Sequence, residues 1–239
     1  MGINYIDLKL IFNIIEKLEK KNNINICDLG NQQIRKSCNK LFKEKGLPRF
    51  RYNKQLFEYL KYNHTSIDCN GDNNSISIDL SIDIKNQNSK LIDKFDLITN
   101  FGTSEHVGEF ILNNDKVDNP QYYCFKNIHD MLKINGIAIH CIPLVNNWKG
   151  HGVYEYTHKF FNSLCSKNNY EIILKDIMNT HGDGYDNLVY VYKKINTDDF
   201  MTKDCFNGLE GLIPKESSSF RLQRANTYAE KYIKINFKK

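Results

Sequence analysis

The chain predicts an α/β fold: a mostly parallel, seven-stranded sheet with helices on both faces and an antiparallel last strand. Three observations predict it. Short apolar runs alternate with amphipathic stretches of helical spacing, the pattern of a sheet built by helical crossovers. Three successive runs end in Asp followed by turn residues: Asp28-Leu29-Gly30, Asp68-Cys69-Asn70-Gly71 and Asp79-Leu80-Ser81. The last two runs are joined by a polar, Gly-rich link, Met178 to Asn187, with no helical pattern, so they are expected to be antiparallel neighbours.

The elements follow in order. Residues 4–20 carry Ile6, Leu8, Leu10, Ile11, Ile14, Ile15 and Leu18 at helical spacing with charges between them. Residues 24–29 are a short buried strand. Residues 32–45 read as a helix with Ile34, Cys38, Leu41 and Phe42 on one face and Gly46 as its stop. Residues 53–62 read as another. Strands are expected over 65–68, 75–80 and 95–99, then a helix over 119–133 stopped by Asn135-Gly136. A strand over 137–144, a helix over 157–167 and strands over 170–177 and 188–192 complete a domain spanning 1–195. Residues 196–239 form a polar and then basic extension, expected to be a helix that packs on the domain or on a partner, with disorder as the alternative.

With 239 residues and 41% apolar content, the chain can bury one substantial core. A net charge of +5 permits a polyanionic partner without demanding one. The seven cysteines are scattered and never form a C-x-x-C pair, which argues against a disulfide framework or a zinc site and for a reducing compartment. The N-terminal apolar stretch is broken by Asp7, Lys9, Glu16 and Lys17 and reads as neither signal peptide nor membrane span. A cytoplasmic location is expected.

Ligands of an open α/β sheet bind at the carboxyl ends of its strands. There this sequence places Asp28, Gly30 and Asn31 after the first strand, Asp68 and Asn70 after the second, Asp79 and Leu80 after the third, and Asn100 and Phe101 at the end of the fourth. An Asp after the second strand can accept both hydroxyls of a ribose. One after the third can accept from an exocyclic amine, since an ionised carboxylate only accepts. Asn31, Gln32 and Gln33 stand where a G-x-G-x-x-G turn would continue, which argues against a dinucleotide and its pyrophosphate.

The ordered set "ICDLGNQ", "SIDCNG", "SISIDLS", "FDLITNFGTSEHV" and "GIAIHCIPL" resembles the successive motifs of class I S-adenosylmethionine-dependent methyltransferases. "HGVYEYTHKFFNSLCSKNNYEI" is similar to the substrate-side segment of one bacterial, phage and viral branch of that family. The resemblance covers roughly residues 24–195. It implies a Rossmann-like seven-stranded sheet with strand seven antiparallel, S-adenosyl-L-methionine as cofactor, and methyl transfer as the activity. It further implies that Asp28 and Gly30 lie at the methionine end. Asp68 would hold the ribose, Asp79 and Leu80 would frame the adenine, and Asn100 and Phe101 would line the pocket near the sulfonium. The departure from the family pattern is at Asn31 and Gln32, where a further small residue is usual.

If the acceptor is a hydroxyl, the site needs a base, and histidine is suited to neutral pH. His106, just after the fourth strand, and His151, after the fifth, are the candidates, with Glu105 as a base or as an orienter of His106. Against this, Ser-Glu-His also reads as a helix start, and His151 as part of a Gly-flanked loop. His140, inside an apolar strand, reads as a core histidine. Trp148, Tyr154 and Tyr156 beside Asn146, Asn147 and Lys149 suit a sugar or polar ring, or simply pack on the sheet. His151, His158 and Glu155 lack a recognisable ligand spacing, so no metal is expected. The reading is O-methylation of a small molecule or glycan. Nucleic-acid methylation is the alternative, favoured by Arg221, Arg224, Lys231, Lys234, Lys238 and Lys239. Against it, the chain lacks an Asn-Pro-Pro-aromatic signature and a Pro-Cys pair. A non-catalytic binding module is the third reading, and a nicotinamide enzyme the fourth, weakened by the missing glycines.

Overall fold

The computed structural model describes residues 2–19, 22–109, 119–179 and 185–215. Seven strands form one sheet: β1 Asn25–Leu29, β2 Asn63–Asp68, β3 Ile76–Ser77, β4 Phe95–Phe101, β5 Leu132–Pro143, β6 Tyr170–Asn179 and β7 Asp186–Lys194. Their order across the sheet is β3-β2-β1-β4-β5-β7-β6. Strands β1 to β5 are parallel to one another, and β7 is antiparallel to both β5 and β6. The chain winds outward from β1 to β3, then restarts at β4 on the other side of β1. The β1/β4 junction is therefore the topological switch point, where ligands of such sheets bind.

Helices cover both faces because side chains alternate along each strand. On one face α1 (Tyr5–Lys17), α2 (Asn39–Glu44) and α3 (Asn53–Tyr59) bury Leu8, Ile11, Phe42 and Phe57 against Ile26, Leu97, Ile139 and Val189. On the other, α4 (Pro120–Met131) and α5 (His158–Lys167) bury Phe125, Ile128, Phe161 and Leu164 against Cys27, Ile98, Ala138 and Tyr190. The α1 helix starts on a capping box: Asn4 Oδ1 accepts the Ile6 and Asp7 N–H groups, and Asp7 Oδ2 accepts the Asn4 N–H.

Three expectations need correction. The helix expected over 32–45 is confined to a 3-10 turn at Lys36–Cys38 and α2, because Gln33–Ile34 pairs with Gly2–Ile3 as a strand. The strand expected over 75–80 shrinks to Ile76–Ser77. Asp79 then leaves the ladder: its Oδ1 accepts from the backbone N–H and hydroxyl of Ser81. Asn135-Gly136 does not stop a helix. The α4 helix ends at Met131, and β5 runs on directly with Asn135 at φ +65 inside it. Residues 196–215 fold back onto the domain. Phe200, Met201 and Phe206 join the core beside α4, α6 is Lys203–Asn207, and Leu212–Pro214 pairs antiparallel with Tyr154–Tyr156. The helix expected towards the end of the extension lies outside the described residues. Among the described residues no helix is long and apolar enough to cross a membrane.

Candidate active site

The turn after β1 is held by its neighbours. Gly30 stands at φ +80, and its N–H donates to Ile67 O at 2.7 Å. A Cβ there would lie 2.8 Å from Thr103 Oγ1 and 3.3 Å from Gln32 Nε2, so the glycine is required by space as well as by backbone. The Asn31 N–H donates to Asp68 Oδ2 at 3.1 Å, which joins the first two expected site loops. Asn70 and Asp72 brace that loop: Asn70 Nδ2 donates to Asp72 Oδ2 and the Asp72 N–H to Asn70 Oδ1. Asp68 is half-buried at the end of β2.

Other expected residues face inward. Asp28 is fully buried. Its Oδ2 accepts from Asn53 Nδ2 at 3.0 Å and lies 2.9 Å from His64 Nε2, while Oδ1 accepts from Thr99 Oγ1. Leu80 and Phe101 are packed in the two cores. Asn100 is buried and builds the next loop: its Oδ1 accepts the Ser104 N–H, and its Nδ2 donates to Ser104 Oγ and to His140 Nδ1. Burial lowers the His140 pKa to about 3, so it is a neutral core residue among Phe125, Phe161 and Tyr192.

Gln32 decides the shape of the switch point. It is buried, and its Nε2 donates to both Leu29 O and Phe101 O at 3.1 Å, bridging the carboxyl ends of β1 and β4. Thr103 Oγ1 donates to Leu29 O from the other side. Gln32 Oε1 is buried without a partner. The rim thus presents a half-buried carboxylate at β2, while Gln32 and Thr103 side chains bridge the space between β1 and β4.

Beyond β4 the three expected catalytic residues converge. A 3-10 turn at Ser104–His106 carries Glu105 and His106, and Gln121 pins it by donating to Ser104 O and Val107 O. The Tyr156 hydroxyl in turn donates to Gln121 Oε1. His151 reaches the turn from the loop after β5. His106 Nε2 lies 3.2 Å from His151 Nε2, and Glu105 Oε1 lies 3.3 Å from His151 Nε2 and 3.8 Å from His106 Nε2. His106 Nδ1 is 2.6 Å from Glu109 Oε2. Burial alone would lower the His106 pKa, but the Glu109 hydrogen bond and the charges of Glu105 and Glu109 together raise it above the ordinary value.

The His151 loop is tied down closely. Gly152, at φ +64, packs so tightly that a Cβ would stand 2.7 Å from Glu105 Cγ, and the Val153 N–H donates to Glu105 O. Lys215 Nζ donates to His151 O and Trp148 O and pairs with Glu155. The Trp148 indole N–H donates to Asp186 O, and its ring lies 5.3 Å from that of His151. Tyr156 is core, as its packing alternative holds, and His158 and Glu155 are not part of the cluster. Glu109, Gln121 and Lys215 went unread in the sequence. Only Glu109, three residues after His106, carried a local signal. A cavity of about 440 Å³ lies at the opposite end of the parallel strands, lined by Lys85, His129, Asp130, Lys133 and Lys194 among others.

No family profile and no curated protein matches the chain. Solved structures resemble its fold. One is a 1,6-didemethyltoxoflavin-N1-methyltransferase of Burkholderia thailandensis with bound 1,6-didemethyltoxoflavin and S-adenosylhomocysteine. It is 14% identical at TM-score 0.47, over 80% of this chain and 84% of that one. A single-site mutant of the 16S rRNA (adenine(1408)-N(1))-methyltransferase from Catenulisporales acidiphilia is 8% identical at TM-score 0.47, over 78% and 93%. The cyclase SpnF is 11% identical at TM-score 0.40, over 79% and 81%. At these identities the likeness is one of fold, and a fold does not fix an activity.

Proposed function

We propose that this chain is an S-adenosyl-L-methionine-dependent methyltransferase that methylates a hydroxyl of a small molecule or glycan. One observation carries the reading. The rim carboxylate Asp68 and the Glu105–His106–His151 cluster stand on loops that leave the same end of the sheet, on either side of the switch point. The motif order in the sequence supports the same cofactor.

Asp68, with Asn70 bracing its loop, holds the ribose, and Asp79 meets the adenine. Gly30 and Asn31 lie at the methionine end. Asp28, Leu80, Asn100 and Phe101, whose side chains are buried, contribute by fixing the loops rather than by touching the ligand. The cofactor supplies an electrophilic methyl group. The imidazoles provide the proton acceptor for the hydroxyl: His106 backed by Glu109, or His151 backed by Glu105. Trp148 beside His151 gives a flat apolar wall for a sugar or ring.

Calorimetric titration with S-adenosylhomocysteine tests the cofactor. Micromolar binding is expected in the wild type, weakened at least tenfold by Asp68→Ala. Absence of binding overturns the proposal, and equal affinity in the variant overturns the ribose assignment. The nucleic-acid alternative rests on basic residues after position 216, which lie outside the described residues. A salt-dependent DNA or RNA mobility shift would favour it.

A further inference from the structure

We infer that Glu105, His106 and His151 form a binding site for one divalent transition-metal ion. The inference rests on the geometry of these residues and stands independently of the cofactor reading.

The distances fit a coordination shell. Metal bonds to His nitrogen and carboxylate oxygen are about 2.0–2.2 Å, which sets neighbouring ligand atoms about 3.0–3.5 Å apart in tetrahedral or octahedral geometry. Here the three ligand atoms are 3.2, 3.3 and 3.8 Å apart. Two imidazole Nε2 atoms and one carboxylate oxygen thus stand at the mutual spacing of three ligands on a single ion.

The surroundings fit as well. The Glu109 carboxylate on His106 Nδ1 accepts that N–H and leaves the Nε2 lone pair free to ligate, the arrangement that orients metal-bound histidines. Glu105 is fully buried, and its Oε2 has no hydrogen-bond partner. A buried carboxylate with an unserved oxygen is costly, and a cation beside it offsets that cost. The loop bearing His151 is fixed against Glu105 by Gly152, Val153 and Lys215 before any ion arrives. The histidine side chains remain 27% and 23% exposed, so the open coordination positions face solvent and can take oxygen donors of an acceptor molecule. Two histidines and one carboxylate suit Zn²⁺, Mn²⁺, Fe²⁺ or Co²⁺ better than Mg²⁺ or Ca²⁺. A bound ion would take the lone pairs assigned above to a base.

The test uses tag-free, chelator-stripped full-length protein titrated with Co²⁺, followed by visible absorption, and with Zn²⁺, followed by calorimetry and thermal melting. One ion per chain is expected, with micromolar or tighter affinity and a rise in Tm with Zn²⁺. His151→Ala and Glu105→Gln should abolish the absorption band and the Tm rise. Glu109→Gln should weaken binding about 10–100-fold. Circular dichroism of each variant checks its fold, and the wild-type titration decides even where a variant unfolds. A wild type that binds no ion overturns the inference, as does binding unchanged in folded His151→Ala. S-adenosylhomocysteine titration of the same samples reports separately on the cofactor reading.

Discussion

Gln32 shows how one side chain can decide what a sequence pattern leaves open. From the sequence, Asn31 and Gln32 were simply not glycine. In the structure Asn31 serves Asp68 through its backbone, and Gln32 bridges Leu29 O and Phe101 O. Those carbonyls stand at the carboxyl ends of β1 and β4, on either side of the switch point. Gln32→Ala removes their donor inside the protein, and a loss of about 1–3 kcal/mol of stability is expected in denaturant titration. The same change opens the rim, so S-adenosylhomocysteine should bind more tightly, opposite in sign to Asp68→Ala. Asp28 teaches a related lesson. An Asp at a strand end was readable, but its partners Asn53, His64 and Thr99 come from three other elements, and no local spacing reveals them.

At the scale of elements, the long, strongly periodic segments were legible and the short ones were not. The α1, α4 and α5 helices announce themselves by apolar spacing and caps, and β4, β5 and β7 by apolar runs. Residues 32–45 misled because Ile34, Cys38, Leu41 and Phe42 keep a helical spacing across a strand pair, a 3-10 turn and a short helix. The pairing of Gln33–Ile34 with Gly2–Ile3 is a long-range event that periodicity does not record. The candidate catalytic trio was legible because both loops sit at strand ends, but its convergence depends on one glycine. Gly152→Ala should cost about 1–3 kcal/mol, since it combines a left-handed backbone with a clash against Glu105. It should also push the His151 loop outward. A shift of the His151 imidazole resonances by NMR, with the rest of the spectrum retained, checks this. An unchanged melting temperature would contradict it.

The whole molecule should lose stability in mild acid, through a balance of three buried groups. Burial lowers His140 to about 3, and burial with the nearby Lys194 charge lowers His129 to about 4. Both are neutral in the fold and protonated in the unfolded chain between pH 6 and 4, so unfolding takes up two protons there. Asp7 works in the other direction: burial raises it to about 6, so the folded state holds a proton the unfolded chain has lost. The net uptake is about one proton, and stability should fall by about 1.4 kcal/mol per pH unit from 6 to 4. Asp7→Asn removes the opposing term, so the slope should roughly double. Urea titrations at several pH values measure both slopes.

The brace from Lys215 to the His151 loop has a consequence for how the protein is made. Every strand of the central sheet is complete at Lys194, yet the side chain that grips His151 O and Trp148 O comes twenty-one residues later. A nascent chain can therefore pair its sheet before Phe200, Met201 and Phe206 complete the core and before Lys215 reaches that loop. Synthesis from the N-terminus makes the sheet first and the clamp last. A chain that ends just after β7 has every strand of the sheet but lacks the clamp on the loop that brings His151 to Glu105 and His106.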